Sequence, residues 1–209
     1  MKLSKQALWS LTVILLVLVI DQTVKILVKT SMTLADCIDI TGWFKINFVE
    51  NNGIAMGIDV GNKLIVSIFR IVACIAIAWY IILLVKHKYS TGYIICISMI
   101  FAGAVGNIID CAFYGIIFSE SSVSQVATLF PPEGGYGTFL HGKVVDMFYF
   151  PIFRFTWASW IPFLGGSEFE FFRWVFNIAD ASISVGLVIL ILFYLKTFSL
   201  SFEKHPVEK

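Results

Sequence analysis

Four long apolar segments constrain the fold of this chain more than any other feature of its sequence. They lie at about residues 8–28, 64–85, 93–109 and 174–195. A helix that crosses a bilayer core needs about 20 mainly apolar residues and satisfies its own backbone hydrogen bonds. Hydrophobic residues make up 58% of the 209 residues and charged residues only 14%, which is too little charge for an ordinary soluble domain. We therefore predict a single integral membrane domain over residues 1–209, a mainly α polytopic fold with four transmembrane helices.

Basic residues near the ends of these segments predict the orientation of the chain. Lysines occur at the N-terminus, between the second and third segments, and in the C-terminal tail (Lys2, Lys5, Lys86, Lys88, Lys196, Lys204 and Lys209). Four spans place all three stretches on one side, which the positive-inside rule makes cytoplasmic. We expect cytoplasmic termini, and extracytoplasmic connections at about residues 30–63 and 110–173.

These two long connections differ in pattern. The first contains "IDITGWFKINF" at 38–48, where apolar and polar residues alternate, which predicts a small strand or hairpin. The second contains "FYFPIFRFTWASWIPFLGGSEFEFFRW" at 148–174, which is rich in Phe and Trp but interrupted by Pro, Gly and charge, so we do not expect a fifth span. Aromatic residues concentrate at membrane–water interfaces. An interfacial aromatic, amphipathic segment is therefore predicted, and ordinary packing of this loop onto the helices stays open.

Four aspartates are predicted to lie at one depth, near the extracytoplasmic face. Asp21 lies late in the first span, Asp110 ends the third, and Asp180 begins the fourth. Asp146 lies between apolar neighbours in the second connection. Ionisable groups at membrane depth are costly and commonly mark function. Helix capping and solvation at the interface are the structural alternatives.

Two of these acids follow an asparagine by three residues. Asn107 precedes Asp110, and Asn177 precedes Asp180. On a helix this spacing places both side chains on one face. We therefore expect each amide to donate toward the same site as its acid.

Carboxylates held close together predict acid–base chemistry. One member of such a pair keeps its proton while the other ionises, which supplies one acid and one base. This chemistry needs no metal, and the sequence has no HExxH motif for a zinc protease. Ser182 or Ser184 with Lys25 would be an alternative nucleophilic pair. A non-enzymatic proton-coupled transporter or assembly factor is the alternative function, although acids at one depth do not form a relay across a bilayer.

Five ordered motifs resemble those of lipoprotein signal peptidase, the type II signal peptidase family of bacteria. They are "DQTVK" at 21–25, "NNGIAMG" at 51–57, "GAVGNIID" at 103–110, "VVD" at 144–146 and "FNIAD" at 176–180. The resemblance covers nearly the whole chain. It implies a multi-pass inner-membrane aspartyl endopeptidase, without metal or other cofactor, that has a small extracytoplasmic β-cradle and an amphipathic element on the membrane. The implied reaction is cleavage of diacylglyceryl-modified prolipoproteins just before the lipid-bearing cysteine.

The resemblance also implies roles for individual residues. Asp146 and Asp180 would be the catalytic dyad, near the extracytoplasmic face. Asn177 would orient Asp180, and Asp21 and Lys25 would form a structural polar pair. The substrate-binding and supporting set comprises Asn51, Gly53, Asn107, Asp110, Asn177, Asp21 and Lys25. The expected partners are lipidated prolipoproteins and membrane lipid; a monomer is expected, and a net charge of +1 suggests no nucleic acid.

Two features depart from the family pattern. Cys111 stands after "GNIID" where the family usually has Arg. The cationic contact is therefore absent, or it is supplied by Arg70 or Arg173. The stretch between Asp110 and Asp146 is also longer than in typical members, which suggests that it shapes substrate entry or forms a lid.

Overall fold

Four helices that are long and apolar enough to cross a membrane form the frame of the protein. The computed structural model describes residues 3–51 and 63–203, and within them these helices cover Lys5–Ser31, Leu64–Lys86, Thr91–Ile117 and Ile178–Ser201. The mainly helical, four-span prediction is confirmed. Helix α1 (Lys5–Ser31) begins with Ser4 as its cap, because the Ser4 hydroxyl accepts from the Ala7 N–H at 3.1 Å.

The other three spans differ in regularity. Helix α2 (Lys63–Lys86) is continuous. The third span consists of α3 (Thr91–Ile109), a π turn at Asp110–Tyr114 and α4 (Gly115–Ile117). The fourth consists of α5 (Ile178–Ile189), a π turn at Leu190–Tyr194 and α6 (Leu195–Ser201). The third span is thus longer than the apolar run at 93–109 predicts, since the chain stays helical through the polar residue Asp110.

Helix α3 lies at the centre of the bundle, against the other spans. Two glycines allow α1 and α5 to approach it closely. A Cβ on Gly103 would overlap the Ala179 carbonyl oxygen of α5, and a Cβ on Gly106 would lie 2.8 Å from Asp21 Oδ2 of α1. Small residues serve this purpose in membrane helices generally, since close backbone approach maximises packing where lipid provides no hydrophobic driving force. The "GAVG" motif therefore brings the start of α5 and Asp21 to the same part of α3.

The protein also contains a four-stranded antiparallel sheet, in which the strands lie side by side in the order β1-β2-β3-β6. Its strands are β1 (Cys37–Thr41), β2 (Phe44–Asn51), β3 (Val144–Tyr149) and β6 (Val175–Phe176). The small hairpin predicted from the alternation at 38–48 is confirmed as β1 and β2. One face of the sheet buries Phe48, Val145 and Met147 in a core that also includes Val28 near the end of α1.

Strand β6 explains why the fourth span begins later than predicted. The apolar run starts at Trp174, but Val175 and Phe176 pair with Tyr149 and Phe148 of β3. Asn177 then has an extended backbone and caps the helix, which begins at Ile178. Hydropathy does not separate an apolar strand from the helix that follows it.

The aromatic stretch of the second connection forms a separate two-stranded hairpin. Strand β4 (Arg154–Thr156) pairs with β5 (Glu168–Glu170), and an Arg154–Glu170 ion pair of 3.0 Å joins them. Phenylalanine rings stack across the hairpin, with centroids 5.0 Å apart for Phe153–Phe171 and for Phe155–Phe169. This stretch is therefore a β-hairpin rather than a fifth span.

Candidate active site

Asp146 lies on β3 and is only 4% exposed. Its Oδ1 accepts from Asn177 Nδ2 at 2.7 Å, and its Oδ2 accepts from Asn51 Nδ2 at 3.4 Å. Val49 of β2 pairs with Asp146, and Asn51 lies on the same face of β2 as Val49 because side chains alternate along a strand. The sheet thus brings Asn51 to Asp146 across 95 positions of sequence.

Asp180 lies in the first turn of α5, where it forms a capping box with Asn177. The Asn177 side chain accepts from the Asp180 N–H at 2.9 Å, and the Asp180 carboxylate accepts from the Asn177 N–H at 3.4 Å. The structural alternative of helix capping is therefore correct for this pair. Capping uses Asp180 Oδ2, so Oδ1 remains available to accept a hydrogen bond from another helix.

The amides of Asn107 and Asn177 connect the two acids. Asn107 Nδ2 donates to Asp180 Oδ1 at 2.7 Å, while Asn177 Nδ2 lies 2.7 Å from Asp146 Oδ1 and 3.2 Å from Asn107 Oδ1. The i, i+3 spacing predicts that each amide donates toward the same site as its acid. Both amides do donate within one site, but each to an acid on another element: Asn107 to Asp180 and Asn177 to Asp146.

Burial, and then the nearby Asp180 charge, raise the pKa of Asp146 to about 7. The hydrogen bonds from Asn177 and Asn51 act in the opposite direction but do not outweigh these two effects. A carboxyl group with a pKa near neutrality can hold or release a proton at working pH. Asp146 is therefore suited to acid–base chemistry, and it acquires this property from the tertiary structure.

A buried ion cluster lies beside the two acids. Lys25 Nζ lies 2.9 Å from Asp21 Oδ2 and 2.9 Å from Asp110 Oδ2, and all three side chains are 0% exposed. The same ammonium donates to Asn107 Oδ1 at 3.0 Å. Lys25 therefore restrains the Asn107 oxygen, which leaves the Asn107 NH₂ group directed at Asp180.

Asp21 and Asp110 each also anchor a backbone that carries one of the acids. Asp21 Oδ1 accepts from the Ala179 N–H at 2.9 Å, next to Asp180 at the start of α5. Asp110 Oδ2 accepts from the Val145 N–H at 3.3 Å, next to Asp146 on β3. The cluster thus holds both elements against the bundle.

Gln22 also belongs to this site, although its place in the sequence did not predict a role for it. Its Nε2 donates to Asp110 Oδ1 at 2.9 Å and to the Gly106 carbonyl at 3.2 Å, and its Oε1 accepts from the Tyr114 hydroxyl at 3.1 Å. The available signal was a polar side chain inside an apolar span, between Asp21 and Lys25. Tyr114 gave no such signal, because a tyrosine near a span end is ordinary.

Arg70 provides the cationic group next to Cys111. Its Nη1 lies 3.7 Å from Cys111 Sγ, so a cation from α2 approaches the position after "GNIID". Arg173 instead lies over the Trp174 ring, 5.2 Å from its centroid. Of the alternatives left open by the sequence, the structure favours Arg70.

The remaining sequence predictions have separate outcomes. Ser182 donates to the Met99 carbonyl at 2.9 Å, whereas Lys25 contacts Asp21, Asp110 and Asn107, so no Ser182–Lys25 pair is seen. Gly53, assigned to substrate binding, lies outside the described residues. The structure brings together the other predicted site residues, namely Asp21, Lys25, Asn51, Asn107, Asp110, Asp146, Asn177 and Asp180.

Comparison with known proteins places this arrangement in a family. A profile of the Signal peptidase (SPase) II family matches residues 13–196. A lipoprotein signal peptidase of Porphyromonas gingivalis is 51% identical over 188 residues, which are 90% of this chain and 83% of the relative. One from Amoebophilus asiaticus is 33% identical, over 85% of this chain and 74% of the relative.

A solved structure agrees with these relatives. It is a bacterial membrane enzyme determined by the in meso method at 2.3 Å, with a TM-score of 0.61 and 25% identity, and the match covers 95% of this chain and 94% of that one. These matches give no support to a transporter or an assembly factor. They extend across the spans, the sheet and the buried polar cluster, and the chain belongs to the signal peptidase II family of membrane proteases.

Proposed function

We propose that this protein removes the signal peptide from diacylglyceryl-modified prolipoproteins, by cutting before the lipidated cysteine with water activated by Asp146 and Asp180. One observation carries the assignment of the dyad. Asn177 donates its side-chain amide to Asp146 at 2.7 Å and its backbone N–H to Asp180 at 3.4 Å, so one residue bridges both acids. Asp21 and Asp110, the other bridged acids of the site, instead share the Lys25 ammonium at 2.9 Å each, which suits them to a structural role.

The two acids have different surroundings, which suggests a division of roles. Asp146 is buried and has a pKa raised to about 7, so it is suited to hold a proton and donate it to the carbonyl oxygen of the substrate. Asp180 lies at the N-terminal end of α5, where the helix dipole is positive. We assign Asp180 as the base that accepts a proton from water.

Two protons are transferred in the proposed reaction, one from water and one from Asp146. Water attacks the scissile carbonyl carbon as Asp180 takes its proton, and Asp146 gives its proton to the carbonyl oxygen. The tetrahedral intermediate collapses as the C–N bond breaks. The leaving amine takes the proton from Asp180, and the hydroxyl proton of the intermediate returns to Asp146, which restores both groups. No metal or cofactor enters these steps.

The remaining groups of the cluster are assigned supporting roles. Asn107 and Asn177 would orient the acids, and Asp21, Lys25 and Asp110 would hold the elements that carry them. Asn51, together with Gly53, would contact the substrate. Arg70 lies on α2 beside Cys111 and would offer a polar contact to the diacylglyceryl group.

We infer the placement in the membrane from the same geometry. The end of α2, the start of α3 and α6 meet where Tyr80 bonds to Tyr93 and Ser201, and lysines flank this end of the bundle. The positive-inside rule makes this end cytoplasmic. The dyad would then lie near the extracytoplasmic face of the bacterial inner membrane. The lipid tails of the substrate would stay in the bilayer, the aromatic hairpin β4–β5 would lie at its surface, and the enzyme would act as a monomeric single domain.

Cleavage of a diacylglyceryl-modified peptide by the purified protein tests this function. We expect Asp146→Asn and Asp180→Asn each to reduce kcat by about 100-fold or more, because each removes an acid or a base. Asp39→Asn is the matched control, since Asp39 lies on β1 with its side chain 68% exposed and pairs with Lys45 at the surface. Near wild-type cleavage by either dyad variant would refute the assignment. Peptide that stays uncut with the wild-type protein would refute the activity itself.

A further inference from the structure

A second buried charge cluster lies outside the proposed reaction. Lys29 of α1 and Glu50 of β2 form an ion pair, and their side chains are 0% and 3% exposed. Ser121 Oγ lies 2.8 Å from both Lys29 Nζ and Glu50 Oε1. Lys143 Nζ lies 3.3 Å from Glu50 Oε2. The cluster therefore joins the end of α1, strand β2 and the long connection before β3.

The Lys29 ammonium has an unusual environment. It lies 5.3 Å from the centroid of the Phe118 ring and 5.1 Å from that of Tyr136, so aromatic faces replace water around it. Lys29 follows Lys25 by four residues, which places both side chains on one face of α1. A single helix face thus carries the cation that holds the dyad elements and the cation that holds Glu50.

Glu50 is adjacent to the group that contacts Asp146. Asn51 follows it on β2 and donates to Asp146 Oδ2 at 3.4 Å. Consecutive side chains of a strand point to opposite faces. Glu50 therefore anchors β2 from the face that packs on α1 and Tyr136, while Asn51 presents its amide on the face of the dyad.

The pairing of β2 with β3 strengthens this link. Glu50 pairs with Val145 and Asn51 with Val144, so the anchored end of β2 lies against the residues just before Asp146. The register between these strands is irregular between Ile46 and Val49. Regular pairing therefore does not extend along the whole of β2, and a side-chain anchor at Glu50 restrains the end that carries Asn51.

We propose that Glu50, held by Lys29, is a positioning residue that fixes the end of β2 so that the Asn51 amide reaches Asp146. This inference rests on the proposed function of the dyad. Glu50 does not touch the reacting atoms; it acts through Asn51. The same carboxylate ties the long connection to α1 through Ser121 and Lys143, so this part of the connection is an anchored support for the site.

The test measures kcat, KM and the pH profile of lipopeptide cleavage by full-length Glu50→Gln, Asn51→Ala and the double variant. We expect Glu50→Gln to lower kcat by about 10- to 100-fold, the range typical of a misplaced catalytic group. The limb of the pH profile that reports Asp146 should move upward, because the Asn51 hydrogen bond lowers the pKa of Asp146. Asp180 and Lys25, the other charges that act on Asp146, are unchanged in all three variants.

The double variant separates positioning from a general loss of structure. If Glu50 acts through Asn51, Glu50→Gln adds little to Asn51→Ala, in kcat and in the pH profile alike. Additive losses, or a Glu50→Gln profile identical to wild type, would overturn the proposal. The same assay tests the proposed function independently of Glu50. Wild-type protein should cleave the lipopeptide, and Asp146→Asn should not.

A buried charge left without its partner could prevent folding, so a further pair of variants is needed. Lys29→Met with Glu50→Gln removes both charges together, and Lys29→Arg retains the cation. We expect the double neutral variant to elute as a single species in size-exclusion chromatography and to show the upward shift of the pH profile. We expect Lys29→Arg to retain most of the wild-type kcat. A folded double neutral variant with a wild-type profile would contradict the role of Glu50.

Discussion

Asn177 Nδ2 lies 2.7 Å from Asp146 Oδ1, and the two side chains are 0% and 4% exposed. The donor is the N-cap of α5 and the acceptor lies in β3, so this hydrogen bond joins a helix to a strand. A single amide thereby sets the position of one proposed catalytic acid relative to the other.

The first prediction concerns Asn177. Asn177→Ser should keep the helix cap, since serine is a good N-cap, but it removes the amide that donates to Asp146. We expect kcat for lipopeptide cleavage to fall by about 10- to 100-fold, because Asp146 loses the donor that positions it. The thermal unfolding midpoint of Asn177→Ser should stay close to that of the wild-type protein, since the helix cap is kept. A variant with wild-type kcat would show that the bridge between the acids is unnecessary.

The second prediction concerns pH and follows from the raised pKa of Asp146. Because this pKa rises from 3.8 to about 7 on folding, the folded state binds more protons than the unfolded state between these values. Stability from this group is therefore full below about pH 4 and falls as pH rises to about 7. Asp146→Asn should remove this loss and stabilise the protein at neutral pH, by up to about 4 kcal/mol.

Thermal unfolding of wild type and Asp146→Asn in detergent, at several pH values, provides the measurement. The difference in midpoint should be small near pH 4 and largest above pH 7. Asp39→Asn, at the surface of β1, should show no such trend. Equal midpoints for wild type and Asp146→Asn at pH 8 would contradict the buried, proton-binding state of Asp146.

The third prediction concerns Lys25. Lys25→Met leaves Asp21 and Asp110 buried without their shared cation, and losing one partner of a buried pair costs about 3–5 kcal/mol. We expect a large fall in the thermal midpoint and poor recovery of folded protein. Lys45→Met, which breaks the exposed pair with Asp39, is the control and should leave the midpoint unchanged. Similar midpoints for the two variants would show that the buried Lys25 ion pairs contribute no more to the free energy of unfolding than the Lys45–Asp39 pair.

The fourth prediction concerns the close contact between α3 and α5. Gly103→Ala would place a methyl group on the Ala179 carbonyl oxygen, so the helices must separate. Overpacking of this kind costs about 1–3 kcal/mol, and it should also move Asp180 away from Asn107. Gly42→Ala is the matched control, because a Cβ there meets nothing within 4 Å. We expect lower stability and lower kcat for Gly103→Ala only, measured by thermal unfolding and lipopeptide cleavage.

The elements that sequence predicts well are those whose signal is local. Each apolar run is long enough to identify a membrane helix, and the alternation at 38–48 identifies the hairpin β1–β2. The start of α5 was missed because Val175 and Phe176 are equally apolar in a strand or a helix. Their pairing with β3 depends on residues 26 and 28 positions earlier in the chain, which a local window does not include.

The polar residues show the same division within one site. Their types and spacing, with the family motifs, were enough to name Asp146, Asp180, Asn107 and Asn177. The partners were not predictable from spacing, since Asn107 donates to Asp180 across 73 positions and not to Asp110 three residues away. Helix rotation and the close approach at Gly103 decide which amide meets which acid.

The four membrane helices, the hairpin, the family and the candidate acids can be inferred from the chain alone, because hydropathy, alternation and motifs are properties of the chain. The bridge from Asn177 to the acids, the pKa of about 7 for Asp146, and the buried pair of Lys29 and Glu50 depend on the tertiary structure. These properties arise from burial and from contacts between distant segments, and neither exists until the helices and the sheet have packed together.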